Sequence, residues 1–419
     1  MRTFVILLLL AISITGVSQP VSVANHPADV DLDPQRLQRI DNLLQDYVKQ
    51  NKIPGAVAIV MRNGKIAYLQ AFGVRDVNAK QKLRTDDIFR IASQSKAITS
   101  LAVMMLFEEG KFFLDEPVSN FIPEFANPQV LTSFNASDTT YTTTNANRAV
   151  TIRDLLTHTS GIDYPAIGSP EFRAIYAKAG IPSGIGNDIA TLGEKIRALA
   201  KLPLKHHPGE QFTYGLNTDV LGYLVEALSG MSLDAFFQER IFKPLGMKDT
   251  YFYVPRDKRS RVVALHEIAN NKLARVDHPV YDGVDPNYPT SDGTYYSGGA
   301  GLSSTAEDYA HFLQLFLNKG TYNGTRLLSR KTVELMLTPQ TQPPIITQVG
   351  LGFGLETDSN DFRSITSKGT FSWGGAFSSS YWADPQEQLI GILLTNMYNN
   401  PHGDVHEKFK NLVYQAIAD

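Results

Sequence analysis

The stretch RIASQSKAIT, residues 90–99, places a serine and a lysine three positions apart where an apolar run meets a predicted helix. Apolar residues continue on one face of that helix as far as Leu106, and Gly110 ends it. Ser93 and Lys96 would share a face, about one turn apart. Backbone N–H groups at the helix N-terminus favour negative charge on Ser93, and a buried Lys96 can take the hydroxyl proton. The pattern predicts a nucleophile and its base; the alternative is an N-cap serine beside a solvated lysine.

Composition narrows the chemistry. The 419 residues include 39 Lys+Arg, 42 Asp+Glu and no cysteine, for a formal charge of −3. Near-neutral charge gives no electrostatic reason to expect nucleic acid as a partner. The lack of cysteine excludes disulfides, thiolate metal sites and cysteine nucleophiles. The nine histidines show no zinc spacing and there is no phosphate-binding glycine loop, so we predict neither a metal nor a cofactor.

The N-terminus is predicted to be a signal peptide. Arg2 is followed by the apolar run Phe4–Ile14, and small residues permit cleavage after Ser18 or Ala24. The alternative is an uncleaved anchor, although the run is short for a membrane span. We therefore expect a signal peptide within residues 1–24, removed by cleavage after residue 18 or 24, and a protein that is exported, periplasmic or secreted, without stable membrane insertion.

The two ends of the chain predict one α/β (α+β) fold. A helix from Pro34 to about Gln50 precedes two strands, 56–61 and 65–72, which are joined at Asn63-Gly64, a strong hairpin signal. Strands at 378–383 and 389–395, turning at Asp384-Pro385, precede a final helix. One antiparallel sheet built from both ends, with the terminal helices covering it, satisfies this pattern.

The middle of the chain predicts an inserted, mostly helical lobe. Helical periodicity recurs at 151–158, 190–201, 217–229 and 232–241, and Ser304 and Glu307 form a capping-box pattern before a further helix. We assign residues 33–419 to one domain, with an α/β lobe over about 33–115 and 299–419 and the helical lobe over about 116–298. Long loops at 163–187 and 255–298 are predicted to frame a cleft between the lobes.

Two further motifs follow in order. FTYGLN (212–217) precedes a helix, and SWGGA (372–376) precedes the last hairpin. Taken alone, Tyr214 favours core filling or a surface ring over function, and Trp373 with its two glycines could be a packed aromatic beside a tight turn. Glycines beside Trp373 allow the close backbone approach that a substrate needs.

The order Ser-x-x-Lys, tyrosine motif, glycine-rich strand resembles the serine β-lactamase and penicillin-binding protein superfamily. LLTHTSG (155–161) and GGAGLSSTAED (298–308) add to the likeness, which covers about 33–417. The likeness is strongest to the class C β-lactamase-related branch, closest to the family VIII carboxylesterases. It implies the β-lactamase/transpeptidase-like fold.

The resemblance also implies roles for individual residues. Ser93 would be the acylated nucleophile, Lys96 its base or proton shuttle, and Tyr214 part of the proton network. The backbone N–H groups of Ser93 and Ala376 would form the oxyanion hole. Trp373, Gly374 and Gly375 would line the substrate site. Which of Lys96 and Tyr214 acts as base in each step stays open.

Two departures bear on the substrate. Leu216 stands where β-lactamases of this branch carry asparagine, and Asn217, one position late, could be only a helix cap. Trp373 replaces the lysine of a Lys-Thr-Gly strand, and the scrambled match at Lys368 is discounted. Without that cation, a neutral ester or amide is favoured over a carboxylate-bearing lactam.

Three hypotheses follow for a small ester, amide or lactam substrate. The first is an exported, esterase-like serine hydrolase with an acyl-serine intermediate. The second is a β-lactamase or D-Ala-D-Ala carboxypeptidase, and the third is a penicillin- or muropeptide-binding protein without turnover. His158 is expected to be a structural, hydrogen-bonded residue, and the oligomeric state is left open.

Overall fold

The computed structural model describes residues 21–186, 190–281 and 283–419. Of the predicted signal peptide, residues 1–20 lie outside the described residues.

The main sheet is assembled from both ends of the chain, as the two hairpins predict. In spatial order its strands are β1 (Ser22–Val23), β3 (Lys65–Asp76), β2 (Gly55–Arg62), β16 (Leu389–Leu394), β15 (Ser379–Asp384), β14 (Phe371–Gly375) and β13 (Gly354–Leu355), and β4 (Gln81–Lys82) pairs with β3. The two chain ends meet where β2 and β16 pair antiparallel, with Ile59 opposite Ile392. Asn63 and Gly64 have φ values of 53° and 76°, the left-handed values that a two-residue hairpin turn requires.

Among the described α-helices, the first, ninth and eleventh pack against this sheet, whereas the third, fifth and seventh pack against the sixth. In chain order the described α-helices are α1 (Pro34–Lys49), α2 (Ser95–Glu108), α3 (Ile152–Leu156), α4 (Pro170–Lys178), α5 (Leu192–Leu199), α6 (Asn217–Ser229), α7 (Leu233–Phe237), α8 (Lys243–Leu245), α9 (Ala306–Leu317), α10 (Arg330–Met336) and α11 (Asp404–Tyr414).

Side-chain alternation along the central strands divides the core into two layers. Ala56, Ala58 and Val60 of β2 pack in one cluster with residues of α1 and α11. Their neighbours Val57 and Ile59 face the opposite side and pack with α2 and α9. Because both faces are covered, all eight residues of β2 are buried. Helix α2 lies between the main sheet and the inserted lobe. Its residues 95–106 are all buried, whereas the sequence predicted that only one face of this helix is apolar.

Side-chain caps mark the starts of several helices. The carboxylate of Asp33 accepts hydrogen bonds from the N–H groups of Gln35 and Arg36, and Thr151 forms a capping box with Asp154. The predicted box at Ser304 is wrong. Thr305 caps α9 instead, because the hydroxyl of Ser304 is engaged with Thr250 at 2.8 Å.

The middle of the chain is less purely helical than predicted. Its helices α3 and α5–α7 lie near the predicted positions, but it also contains the hairpins β6 (Gln129–Asn135)–β7 (Thr140–Asn145) and β8 (His266–Ala269)–β9 (Lys272–Arg275). Every residue of β7 is exposed, so this strand lacks the apolar alternation by which a strand is recognised in sequence. The remaining two-stranded ribbons are β5 (Phe89–Arg90)–β10 (Ser303–Ser304) and β11 (Thr321–Tyr322)–β12 (Thr325–Arg326).

Within the described ranges, no single helix has the length and apolar character to cross a membrane; by those two criteria only the pair Asn217–Ser229 and Leu233–Leu245, bent by 81°, would pass.

Candidate active site

Ser93 lies in a single 3-10 turn, Ala92–Gln94, between β5 and α2. Helix α2 begins at Ser95, so Ser93 precedes the helix instead of opening it. Ala92 has a φ of 43°, a strained conformation for alanine of the kind that concentrates at functional sites. Tyr309 holds the turn by donating from its hydroxyl to the carbonyl oxygen of Gln94 at 2.9 Å. The serine is therefore presented on a rigid support.

Lys96 is buried one turn into α2, with 3% of its surface exposed. Its Nζ donates to the carbonyl oxygen of Gly299 at 2.8 Å and to the hydroxyl of Tyr164 at 3.0 Å, and lies 3.4 Å from Oγ of Ser93. Burial alone lowers the pKa of Lys96, but the phenol groups of Tyr164 and Tyr214 outweigh this and raise the pKa above its usual value. This lysine is an ammonium ion that contacts Ser93.

Tyr214 completes a compact group of three. Its hydroxyl lies 2.7 Å from Oγ of Ser93, and Nζ of Lys96 lies 4.7 Å from the centre of its ring. The following residue must be glycine, because a Cβ on Gly215 would overlap the backbone oxygen of Ile162. The close packing of these two segments directs the tyrosine to the serine.

The SWGGA motif lies beside this group. Trp373 of β14 is half-buried, and its ring centre lies 5.9 Å from that of Tyr214. A Cβ on Gly375 would overlap the carbonyl oxygen of Ile91, so the glycine lets β14 approach the chain just before Ser93. Ala376 directly follows Gly375, and its carbonyl oxygen accepts a hydrogen bond from the hydroxyl of Tyr281 at 3.3 Å. Gly374 is exposed at the same strand end.

This geometry is accompanied by a family match. A family model described as beta-lactamase matches residues 40–415. The chain belongs to the beta-lactamase family. The predicted kinship and the predicted fold class are thereby confirmed.

Known members of the beta-lactamase family resemble this chain over most of its length. Esterase EstB of Burkholderia gladioli is 31% identical over 93% of this chain and 98% of its own. The structure of EstCE1, a hydrolase with promiscuous acyltransferase activity, matches with a TM-score of 0.80 at 27% identity, covering 91% and 99% of the two chains. Simvastatin synthase (LovD) from Aspergillus terreus matches with a TM-score of 0.76 at 26% identity, covering 90% and 98%. These relatives agree with the predicted esterase-like branch and confirm that the chain is an enzyme of the serine hydrolase type.

Asn217, which departs from the β-lactamase position by one residue, is not a helix cap. It is fully buried, its Oδ1 accepts from the hydroxyl of Ser160, and its Nδ2 donates to Nδ1 of His158 at 3.1 Å. Burial, and next the nearby Lys96 charge, lower the pKa of His158 to about 3, so the imidazole is neutral. With Nδ1 accepting, its proton is on Nε2. The neutral ring lies against Tyr214 and Trp373, with centres 4.9 and 6.5 Å away. His158 is hydrogen-bonded, as predicted, and it forms one wall behind the tyrosine.

Tyr164 is the residue of this beta-lactamase-family site that the sequence motifs missed. It is buried in the loop after α3. Its hydroxyl accepts a hydrogen bond from Nζ of Lys96, and this contact connects it to the site. Burial raises its pKa, against the opposing effect of the Lys96 ammonium. Its only sequence signal is its place three residues beyond the LLTHTSG stretch.

The discounted match at Lys368 lies elsewhere, and so does a Tyr-x-Asn sequence, Tyr398-Asn399-Asn400, which follows the last strand and is out of order for the tyrosine motif. Lys368 is exposed and forms an ion pair with Asp358. Tyr398 packs against Tyr281, with ring centres 5.1 Å apart. Neither contacts Ser93, so the lysine found in other beta-lactamase-family strands has no substitute at these positions.

Proposed function

We propose that the protein is an exported hydrolase that cleaves small, neutral esters, and amides of similar size, through an acyl-Ser93 intermediate. The observation that carries this proposal is the hydrogen bond of 2.7 Å between the hydroxyls of Tyr214 and Ser93, next to the buried Lys96. A hydroxyl nucleophile needs a base within hydrogen-bonding distance, and Tyr214 meets this requirement better than Lys96 at 3.4 Å.

In this mechanism Tyr214 is the base. Its phenolate, stabilised by the adjacent Lys96 ammonium, takes the proton of Ser93 as Oγ attacks the carbonyl carbon. The oxyanion accepts hydrogen bonds from the N–H groups of Ser93 and Ala376. Tyr214 then returns the proton to the departing alcohol. Water then attacks the acyl carbon as Tyr214 takes one of its protons. Tyr214 passes this proton to Oγ of Ser93 as the bond between Oγ and the acyl carbon breaks, and the carboxylic acid leaves with the second proton.

The character of the cleft supports a neutral substrate. Trp373 presents an aromatic surface where a lysine would pair with a carboxylate, and Lys96 is buried with its donors engaged. A β-lactamase or D-Ala-D-Ala carboxypeptidase must hold the carboxylate of its substrate, so these alternatives rank second. A binding protein without turnover ranks third, because Tyr214 is placed to activate water as well as serine.

Short-chain aryl esters test the proposal. The wild type is expected to turn them over, and Ser93→Ala to lose about 10³-fold or more in kcat. Unchanged turnover in Ser93→Ala would refute the acyl-Ser93 mechanism. A chromogenic cephalosporin and a D-Ala-D-Ala peptide, assayed in parallel, are expected to be poorer substrates. Intact mass after ester addition should show an adduct on the wild type that decays; a lasting adduct without turnover would favour the binding protein.

Export rests on the predicted signal peptide and needs its own test. Expression of the full chain, followed by fractionation and intact mass, should give a shortened protein outside the cytoplasm. Full-length protein in the cytoplasmic fraction would contradict export and leave the hydrolase proposal intact.

A further inference from the structure

A buried carboxylate lies behind the Ser93 site. Asp219, in the first turn of α6, has no exposed surface. Its Oδ1 accepts a hydrogen bond from the hydroxyl of Ser297 at 2.6 Å, whereas its Oδ2 has no partner of good geometry among the described residues. A Cβ added to Gly299 would overlap Oδ2 of Asp219 and lie 3.5 Å from Nζ of Lys96. The carboxylate and the ammonium therefore approach the same glycine.

The same carboxylate organises the turn that binds Lys96. The hydroxyl of Ser297 donates to Asp219 and accepts from the N–H of Ala300 at 3.1 Å, which fixes both ends of the turn. Between these ends, the carbonyl oxygen of Gly299 accepts from Nζ of Lys96 at 2.8 Å. If the carboxylate of Asp219 moved, the turn would move with it, and so would the Gly299 carbonyl oxygen that accepts the hydrogen bond from Lys96.

Lys96 lacks a direct ion pair. Its hydrogen-bond contacts are the Gly299 carbonyl oxygen and the hydroxyls of Tyr164 and Ser93, and within the described ranges no carboxylate forms a hydrogen bond with it. A buried ammonium without nearby negative charge is costly. Asp219 is the carboxylate that approaches it across Gly299.

We propose that Asp219 is a positioning residue for Lys96: it holds the 297–301 turn in place and supplies the negative charge that holds the Lys96 ammonium next to Ser93. This inference rests on the proposed function, since it concerns the same site.

The protonation of Asp219 allows this role to be tested through the pH dependence of turnover. Burial raises the pKa of Asp219 to about 6, against the opposing effects of Ser297 and Lys96. The titratable groups that face it are Lys96 from α2 and Tyr164 from the loop after α3; the 297–301 turn contributes none. As the pH falls through about 6, the carboxylate gains a proton and its charge is lost. Turnover should therefore fall over that interval.

The isosteric Asp219→Asn substitution removes the charge and keeps the shape. We expect kcat for an aryl ester to fall about 10- to 100-fold at pH 8 with little change in KM, since Asp219 does not reach the substrate. The difference from the wild type should shrink towards pH 5, where the wild-type carboxylate is also neutral. A wild-type profile in Asp219→Asn, or a loss by the same factor at every pH, would overturn the inference.

Ser297→Ala provides an independent test if Asp219→Asn does not fold. It deletes the hydrogen bond that lowers the pKa of Asp219, so the acid limb of kcat/KM should move up by about 0.5 to 1 pH unit. Ser229→Ala, at the far end of the same helix, is the matched control and should keep the wild-type limb. An unmoved limb in Ser297→Ala refutes the assignment.

Ser93→Ala separates the two proposals. Turnover that persists in Ser93→Ala refutes the proposed function itself. Turnover that is lost in Ser93→Ala but normal in Asp219→Asn refutes only the role of Asp219.

Discussion

The hydroxyl of Tyr214 and Oγ of Ser93 are 2.7 Å apart, although 121 residues separate them in the chain. Three local features produce this contact: the strained 3-10 turn at Ala92, the glycine at 215 that lets the tyrosine segment pack against Ile162, and the aromatic wall of Trp373 and His158. The proposed nucleophile, Ser93, and the proposed base, Tyr214, are thus held by the fold before any substrate binds, which is what positioned catalysis requires.

Removing the hydroxyl of Tyr214 tests its role as base. Tyr214→Phe keeps the ring packed against His158 and Trp373, so we expect an unchanged fold and a kcat about 10²- to 10⁴-fold lower. Aryl ester kinetics and the melting temperature are the measurements. Tyr141→Phe, on the exposed strand β7, is the control and should retain full activity. A Tyr214→Phe enzyme with more than half the wild-type kcat would assign the base to another group.

Tyr164 is expected to act through Lys96. Tyr164→Phe removes the oxygen that Nζ contacts at 3.0 Å, and with it a group that raises the pKa of Lys96. That pKa should fall, so the basic limb of kcat/KM should move to lower pH, with a loss of about 10-fold at the optimum. The pH profile between 7 and 11 is the measurement. If the basic limb stays in place while kcat falls, Tyr164 supports the loop and not the charge of Lys96.

Candidate site residues can be predicted from the sequence when they belong to a recognisable catalytic motif. They are missed when their role depends on partners that are distant in the chain. Ser93, Lys96 and Tyr214 belong to short motifs, and the structure brings them together. Asp219 is different, because an acidic residue in the first turn of a helix is ordinary. Only the approach of the 297–301 turn gives it a lysine to face.

Dependence on distant partners also explains where the predicted fold differs from the structure. The two hairpins that build the sheet carry their own turn signal and apolar runs, so their pairing could be predicted from sequence. Asn217 has the position and residue type of a cap, but Ser160 and His158, nearly sixty residues earlier, engage its side chain. Strand β7 is held by cross-strand contacts of polar residues, such as Thr142 with Ser133, which local hydrophobicity does not reveal.

Histidine protonation should weaken the fold in mild acid. His406 is held between the hydroxyls of Ser380 and Ser378 at 2.7 and 3.0 Å, and burial lowers its pKa to about 4. Its usual pKa is about 6.5, so below that value the unfolded chain binds the proton more readily. The stability that depends on a neutral His406 is therefore present above pH 6.5 and is lost as the pH falls towards 4.

His406→Gln isolates this contribution. Between pH 7.5 and 5, the fall in the free energy of unfolding should be about 2 kcal/mol smaller in His406→Gln than in the wild type. Urea titrations at the two pH values measure the difference. His26→Gln, at an exposed position, should show the wild-type fall. Equal falls in His406→Gln and the wild type would mean that His406 is protonated in the folded state as well.

The position at which the proposed signal peptide is cleaved should affect stability, because residues 22–24 bond to the sheet. Ser22 and Val23 pair parallel with Lys65 and Ile66, and the N–H of Ala24 donates to the carbonyl oxygen of Ile66 at 2.9 Å. Cleavage after Ser18 keeps strand β1, whereas cleavage after Ala24 removes it and exposes the edge of β3.

A protein lacking residues 1–24 should melt about 2 to 5 °C below one lacking residues 1–18 and aggregate sooner, since it loses several hydrogen bonds of about 1 kcal/mol each. Both should hydrolyse esters equally well per folded molecule, because β1 lies at the sheet edge opposite to β14. Equal melting temperatures would show that β1 adds nothing to stability, and a difference in kcat would show that the edge strand influences the site.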